Sequence, residues 1–185
     1  MFDNPTYTIL FSSFVASCRP QIDTMSVLEE VYQIQSKYPS EEISNEGGYH
    51  SPVFTGGHFI KLRDLVREFV DRILEEREYD LRATKMQYWC NINKSYSYNV
   101  LHNHCRTDLI GLYYVKVPPK SGNFVALRND GSQYTNLYNK RLDMLKYSVE
   151  PEEGQLYILP GHLWHYVTGN DSEGDRISIS FNIDT

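Results

Sequence analysis

The stretch VLHNHCRTDLIGLYYV, residues 100–115, decides how this chain is read. Two histidines, His102 and His104, stand one residue apart, and an alternating, strand-like run follows them. Successive side chains on a strand point to opposite faces, so positions i and i+2 share one face. Two imidazoles on one face suit a metal site or an acid/base pair; chance is the third reading. A second pair, His162 and His165, recurs downstream in LPGHLWHYV. Neutral imidazole is a good ligand for Fe(II), Zn(II), Ni(II) and Cu(II), so two such clusters in one strand-rich region favour a metal.

The surroundings of that stretch set the fold class. After about residue 83, short strand-like runs follow one another: KMQYWCNI, NVLHNH, LIGLYYVKV, GNFVAL, LKYSVE, GQLYILP, WHYVT and RISISFNI. Pro-Pro, Ser-Gly, Asn-Asp-Gly and Pro-Gly break them up, a pattern that predicts a barrel or double-sheet jelly roll. Such a fold brings strands distant in sequence side by side, so a third imidazole beside the first two is geometrically reasonable. The first half reads differently. Residues 6–16 predict a strand. TMSVLEEVYQIQSKYP places Val27, Leu28, Val31 and Ile34 at helical spacing and stops at Pro39. Residues 40–57, rich in Ser, Asn and Gly, are expected to form a loop. Beyond it, Leu62, Leu65, Val66, Phe69, Val70, Ile73 and Leu74 make an amphipathic stripe. The expected architecture is α+β and mainly β, with both helices packed on the outer sheet and residues 1–185 forming a single domain.

Composition narrows the function. Aromatic residues are 14% and hydrophobic residues 41% of the 185, which excludes a disordered chain. A net charge of −6 argues against general binding to nucleic acid or anionic membranes. No apolar run is long enough to span a bilayer. Three cysteines without CxxC spacing suit a reducing compartment, so the cytoplasm is expected.

One more strand carries chemistry. In RISISFNI, Arg176, Ser178, Ser180 and Asn182 alternate with Ile177, Ile179, Phe181 and Ile183. The bland reading is a surface strand with its polar face in water. The sharper one is a barrel strand whose polar face lines a pocket, with Arg176 and Ser178 sharing one anion. Eleven positions separate His165 from Arg176, enough for a strand, a turn and entry into an adjacent strand.

Taken in order, these fragments resemble the iron(II)- and 2-oxoglutarate-dependent oxygenases, in particular the small ones of marine bacteria and their phages. The resemblance runs through SNEGGYHS at 44–51, Trp89-Cys90-Asn91, the HNH stretch, Gly154 onward to Val167, and RISISFN at 176–182. It implies a double-stranded β-helix and an enzyme using Fe(II), 2-oxoglutarate and O2 to hydroxylate an unidentified substrate, releasing succinate and CO2. It implies His102 and His165 as metal ligands. Arg176 and Ser178 would hold the C5 carboxylate of 2-oxoglutarate, with Tyr114 reaching it as well. The wider superfamily has Asp or Glu where this chain has His104. Either His104 is a third nitrogen ligand, or a carboxylate or water fills that seat; Asp108 is the nearest acid. Asn91 is expected to face inward near the metal. Tyr49, His50 and Trp164 are candidate substrate contacts, and the tyrosine-rich segment 128–144 is expected to overhang the site. A three-histidine cupin-like or zinc enzyme and a non-catalytic jelly-roll module are the competing readings. The substrate and the oligomeric state stay open.

Overall fold

The computed structural model describes residues 13–128 and 146–185. Residues 6–12 of the expected first strand, and 129–144 of the expected overhanging segment, lie outside the described residues.

Two antiparallel sheets face each other. The larger takes the order β1-β9-β6-β11-β4-β3. Its strands are β1 (Ala16–Cys18), β3 (Tyr49–His50), β4 (Lys85–Asn93), β6 (Leu109–Lys116), β9 (Leu156–Pro160) and β11 (Arg176–Asp184). The smaller runs β2-β5-β10-β7-β8. It comprises β2 (Asn45–Glu46), β5 (Tyr98–His102), β7 (Phe124–Leu127), β8 (Lys146–Val149) and β10 (Trp164–Val167). Ile110 and Leu159 of the larger sheet pack with Phe124, Ala126 and Val149 of the smaller, between the two sheets. This is the expected double-stranded β-helix. The first strand differs from the reading: among the described residues it starts at Ala16, where it can pair with Ile158 of β9.

The helices α1 (Thr24–Lys37) and α2 (Ile60–Glu76) cover the outer face of the larger sheet. Asp23 caps α1 by accepting from the Met25 amide at 3.0 Å. The helix stops before Pro39, whose ring disfavours a helical residue ahead of it. Leu62, Val66, Val70, Ile73 and Leu74 of α2 are buried, with Leu65 and Phe69 half-buried at the margin. At about 1.5–3 kcal/mol per buried aliphatic side chain, these five contribute on the order of 10 kcal/mol to holding the helix on the sheet. Neither helix is long and apolar enough to cross a membrane.

The expected alternation in β11 is present and fixes what lies inside. Ile177, Ile179, Phe181 and Ile183 join the helix-facing core. Arg176, Ser178, Ser180 and Asn182 therefore face the smaller sheet. The register with β4 and β6 extends each into a row: Asn91–Ser178–Tyr114, Trp89–Ser180–Leu112 and Gln87–Asn182–Ile110. The glycine pair of SNEGGYHS carries the chain from the smaller sheet to the larger. Gly47 has φ +70°, and a Cβ on Gly48 would sit 2.9 Å from the Ile92 carbonyl oxygen, so only glycine fits this crossing.

Candidate active site

His102 ends β5, and His165 lies directly opposite it on β10. Their ring centroids are 4.4 Å apart. His104 is not on the strand. It lies two residues past the end of β5, in a loop held against the loop after β9 by its amide donating to the Gly161 carbonyl at 2.9 Å. A Cβ at Gly161 would come 2.3 Å from the Thr107 carbonyl oxygen, so the glycine of PGH allows that contact. The strand-parity argument thus found the right neighbours by a route the backbone does not take. The His104 ring lies 5.2 Å from each of the other two.

One ring nitrogen of each histidine lies within 4.8 Å of those of the other two, near enough for small side-chain rotations to close them on one ion. Each Nδ1 is already engaged. His102 Nδ1–H donates to the Val100 carbonyl at 2.7 Å, and His165 Nδ1–H to the Leu163 carbonyl at 2.8 Å. His104 Nδ1–H donates to Asn182 Oδ1 at 2.5 Å. With Nδ1 protonated, each ring keeps its lone pair on Nε2, the tautomer that ligates metal. Burial, reinforced by the neighbouring imidazoles, pulls the His165 pKa down to about 3. Burial also lowers those of His102 and His104. All three rings are thereby kept neutral, as ligands must be. Asp108 is engaged elsewhere, accepting from the backbone amide and hydroxyl of Thr185. Among the described residues no carboxylate joins the cluster.

A narrow cleft runs inward from the histidines between the sheets, past Asn91, Tyr114, Ser178 and Arg176. Arg176 is 1% exposed. Its Nη1 donates to the carbonyls of Ser121 and Thr168, but Nη2 is buried without a partner. Among the described residues it has no acidic partner. Tyr114 is buried and its hydroxyl is likewise unpaired, and burial pushes its pKa well above the ordinary tyrosine range despite the nearby guanidinium. A buried unpaired cation costs several kcal/mol. Two unpaired donors at the floor of one cleft form a seat for a carboxylate, which would relieve that cost. Arg176 is not on a strand adjacent to His165, as the eleven-residue spacing suggested. The turn at 168–175 carries the chain from β10 in the smaller sheet to β11 in the larger, so the two residues lie on opposite sheets and line one cleft.

A second, wider cleft opens outward and shares Ser44, Trp89, His102 and His104 with the first. His50 lines it, stacked on Trp89 at 5.4 Å, with Nδ1–H donating to the Ser51 carbonyl at 2.7 Å. Tyr49 and Trp164 line neither cleft. Tyr49 is one residue out of phase with His50, so it packs in the helix-facing core and its hydroxyl donates to the Tyr38 carbonyl. Trp164 is out of phase with His165 and lies partly exposed outside the sandwich. Asn91 does face inward, donating to the Ser180 hydroxyl at 3.0 Å, while its own Oδ1 is unpaired. Asn182 and Trp89, which touch or stack on His104, were not among the site candidates of the sequence reading, although both lie in fragments that carry the resemblance. The signs of Asn182 were its phase on the polar face of β11 and its place at the end of RISISFN.

A double-stranded β-helix with three converging imidazoles and a buried, unpaired arginine defines a class: enzymes that can join one metal ion to one organic anion. Residues 87–182 match the family described as "Putative 2OG-Fe(II) oxygenase", and the chain belongs to that family. It is an Fe(II)- and 2-oxoglutarate-dependent oxygenase, and both cofactors suit the donors just described. The fold is similar to that of a prolyl-4-hydroxylase from Pseudomonas putida, with a TM-score of 0.65 and 15% identity over 95% of this chain and 94% of that one. It is also similar to the Trichoplax adhaerens prolyl hydroxylase solved with a hypoxia inducible factor peptide (TM-score 0.65, 16% identity, 92% and 83% covered). A third is the viral collagen prolyl hydroxylase of Paramecium Bursaria Chlorella virus-1, solved with 2-oxoglutarate (TM-score 0.60, 11% identity, 91% and 94% covered). At these identities the likeness is one of fold. No curated protein matches the sequence.

Proposed function

We propose that the chain works as one oxygenase domain, with Fe(II) held by His102, His104 and His165 and 2-oxoglutarate running inward to Arg176. The observation that carries this reading is the pair of unpaired buried donors, Arg176 Nη2 and Tyr114 Oη, in the same cleft as the three imidazoles. Arg176 would take the C5 carboxylate, with the Tyr114 and Ser178 hydroxyls donating beside it and Asn91 lining the passage. When bound, Fe(II) and 2-oxoglutarate supply the oxidising chemistry: O2 delivers one oxygen atom to succinate, with loss of CO2, and the other to a substrate C–H bond. The protein's part is placement. The narrow inner cleft fixes the 2-oxo acid and limits water. The outer cleft would admit the substrate toward His102 and His104, with His50 in contact with it. The Nε2 of His50 is an acceptor, because Nδ1 carries the proton. Three neutral imidazoles leave the metal its full 2+ charge, so a dianionic 2-oxo acid gives a neutral complex. The free state of all three cysteines supports a cytoplasmic location.

A cupin-like or zinc enzyme would have no use for the buried clamp, and a bare binding module would have no use for three tautomer-matched histidines. The direct test is turnover. Anaerobic enzyme loaded with Fe(II) and exposed to O2 should convert 2-oxoglutarate to succinate slowly even without substrate. Succinate formation that is indifferent to iron would end this reading.

His104 gives a sharper expectation. His104→Ala should weaken metal binding by at least about 10-fold, since ligand loss costs no less than the 10–100-fold of losing an outer partner. His104→Asp should still bind iron, because it restores a carboxylate at the superfamily's usual position. Calorimetry with Mn(II) or Ni(II) measures both, and unchanged affinity in His104→Ala would remove it from the ligand set.

A further inference from the structure

Two of the three histidines are oriented by the backbone. Val100 and Leu163 each offer a carbonyl two residues before the ring, a contact no substitution at those positions removes. His104 is different. It sits in a loop, and its Nδ1 is met by a side chain 78 residues away, Asn182 on β11. We infer that Asn182 is a positioning residue that makes His104 a ligand, fixing its tautomer and setting how strongly it donates to the metal. This inference rests on His104 being a ligand, as proposed above.

The chemistry follows from the amide. Oδ1 accepts the Nδ1–H at 2.5 Å, so the ring's lone pair stays on Nε2. Without that acceptor the imidazole could protonate Nε2 instead and present a hydrogen to the metal. Trp89 stacks on the same ring, with 13° between planes and centroids 6.0 Å apart, and holds its plane but cannot choose its tautomer. The acceptor is a neutral amide, so His104 donates as a neutral imidazole. A carboxylate in the same place would draw the proton toward itself and make the ring a stronger, more anionic donor. Asn182 lies one strand-repeat beyond Ser180 on the inner face of β11. One strand therefore carries Arg176 for the 2-oxo acid at one end and the holder of the third histidine at the other. Asn182 also lines the outer cleft and is only half-buried, so replacing its side chain leaves no sealed cavity.

The test compares Asn182→Ala with Asn182→Asp in the full chain. Mn(II) or Ni(II) affinity is measured by calorimetry, and the anaerobic Fe(II)·2-oxoglutarate charge-transfer band by absorbance. Asn182→Ala should lose about 10- to 100-fold in metal affinity. Asn182→Asp, which keeps an acceptor, should recover most of that loss and move the band to longer wavelength, because a more electron-rich iron gives up charge to the 2-oxo acid more easily. Thermal unfolding of each apoprotein checks that both fold. If the two variants have the same affinity and the same band as the parent, Asn182 does not position His104. If His104→Ala itself leaves affinity unchanged, it is the ligand assignment that fails, and the inference about Asn182 falls with it.

Discussion

His165→Ala should bind no divalent metal measurable by calorimetry, where the parent should bind one ion per chain. His165 is the best buried of the three, 4% exposed, and sits directly across the strand pair from His102. Phe124 stacks on it at 5.1 Å, and among the described residues no further histidine, cysteine or carboxylate joins the cluster to replace the lost nitrogen. Loss of an orienting partner alone typically costs 10–100-fold in affinity, and loss of a ligand from a set of three should exceed that. The variant removes a buried ring, so apoprotein unfolding must be followed in parallel to separate a missing ligand from a missing fold. Undiminished Fe(II) or Ni(II) binding by a folded variant would remove His165 from the site.

The second large effect is on the co-substrate. Arg176→Leu should keep the metal and lose 2-oxoglutarate. Removing the cation from a buried charge-assisted pair leaves the carboxylate without its partner, at a cost of roughly 2–5 kcal/mol. That corresponds to about 30- to several-thousand-fold in affinity. The apoprotein should respond in the opposite sense from an ordinary core mutation. Arg176 is a buried charge with no counter-ion among the described residues, and apolar replacements of buried charges are often neutral or stabilising. Loss of its bonds to the Ser121 and Thr168 carbonyls works against this, so a large fall in apoprotein Tm is not expected. Titrating 2-oxoglutarate into Mn(II)-loaded protein reads the affinity. Parent-like binding would place the carboxylate seat elsewhere.

Most of this site is written in period-two alternation. The phase of RISISFNI alone puts Arg176, Ser178 and Asn182 on one face and the isoleucines in the core, as found. The stripe of α2 is equally plain, because a helix covering a sheet needs apolar residues every three or four positions. The same alternation also governs the substrate candidates. If His165 faces inward, Trp164 must face out; if His50 reaches the cleft, Tyr49 must turn to the helices. What alternation cannot supply is the route of a loop. His104 reaches the cluster from beyond the strand, held by Gly161 and Asn182, and neither contact has a local signature. Nor can spacing tell whether a turn stays within a sheet or crosses between sheets. That is why Arg176 lies across the sandwich from His165 instead of beside it.

The most direct measurement is an anaerobic crystal structure with Mn(II) and 2-oxoglutarate bound. It should show the metal on Nε2 of His102, His104 and His165, and the C5 carboxylate on Arg176 Nη2 and Tyr114 Oη. A metal held without these histidines, or a 2-oxo acid that leaves Arg176 Nη2 unpaired, would contradict the account.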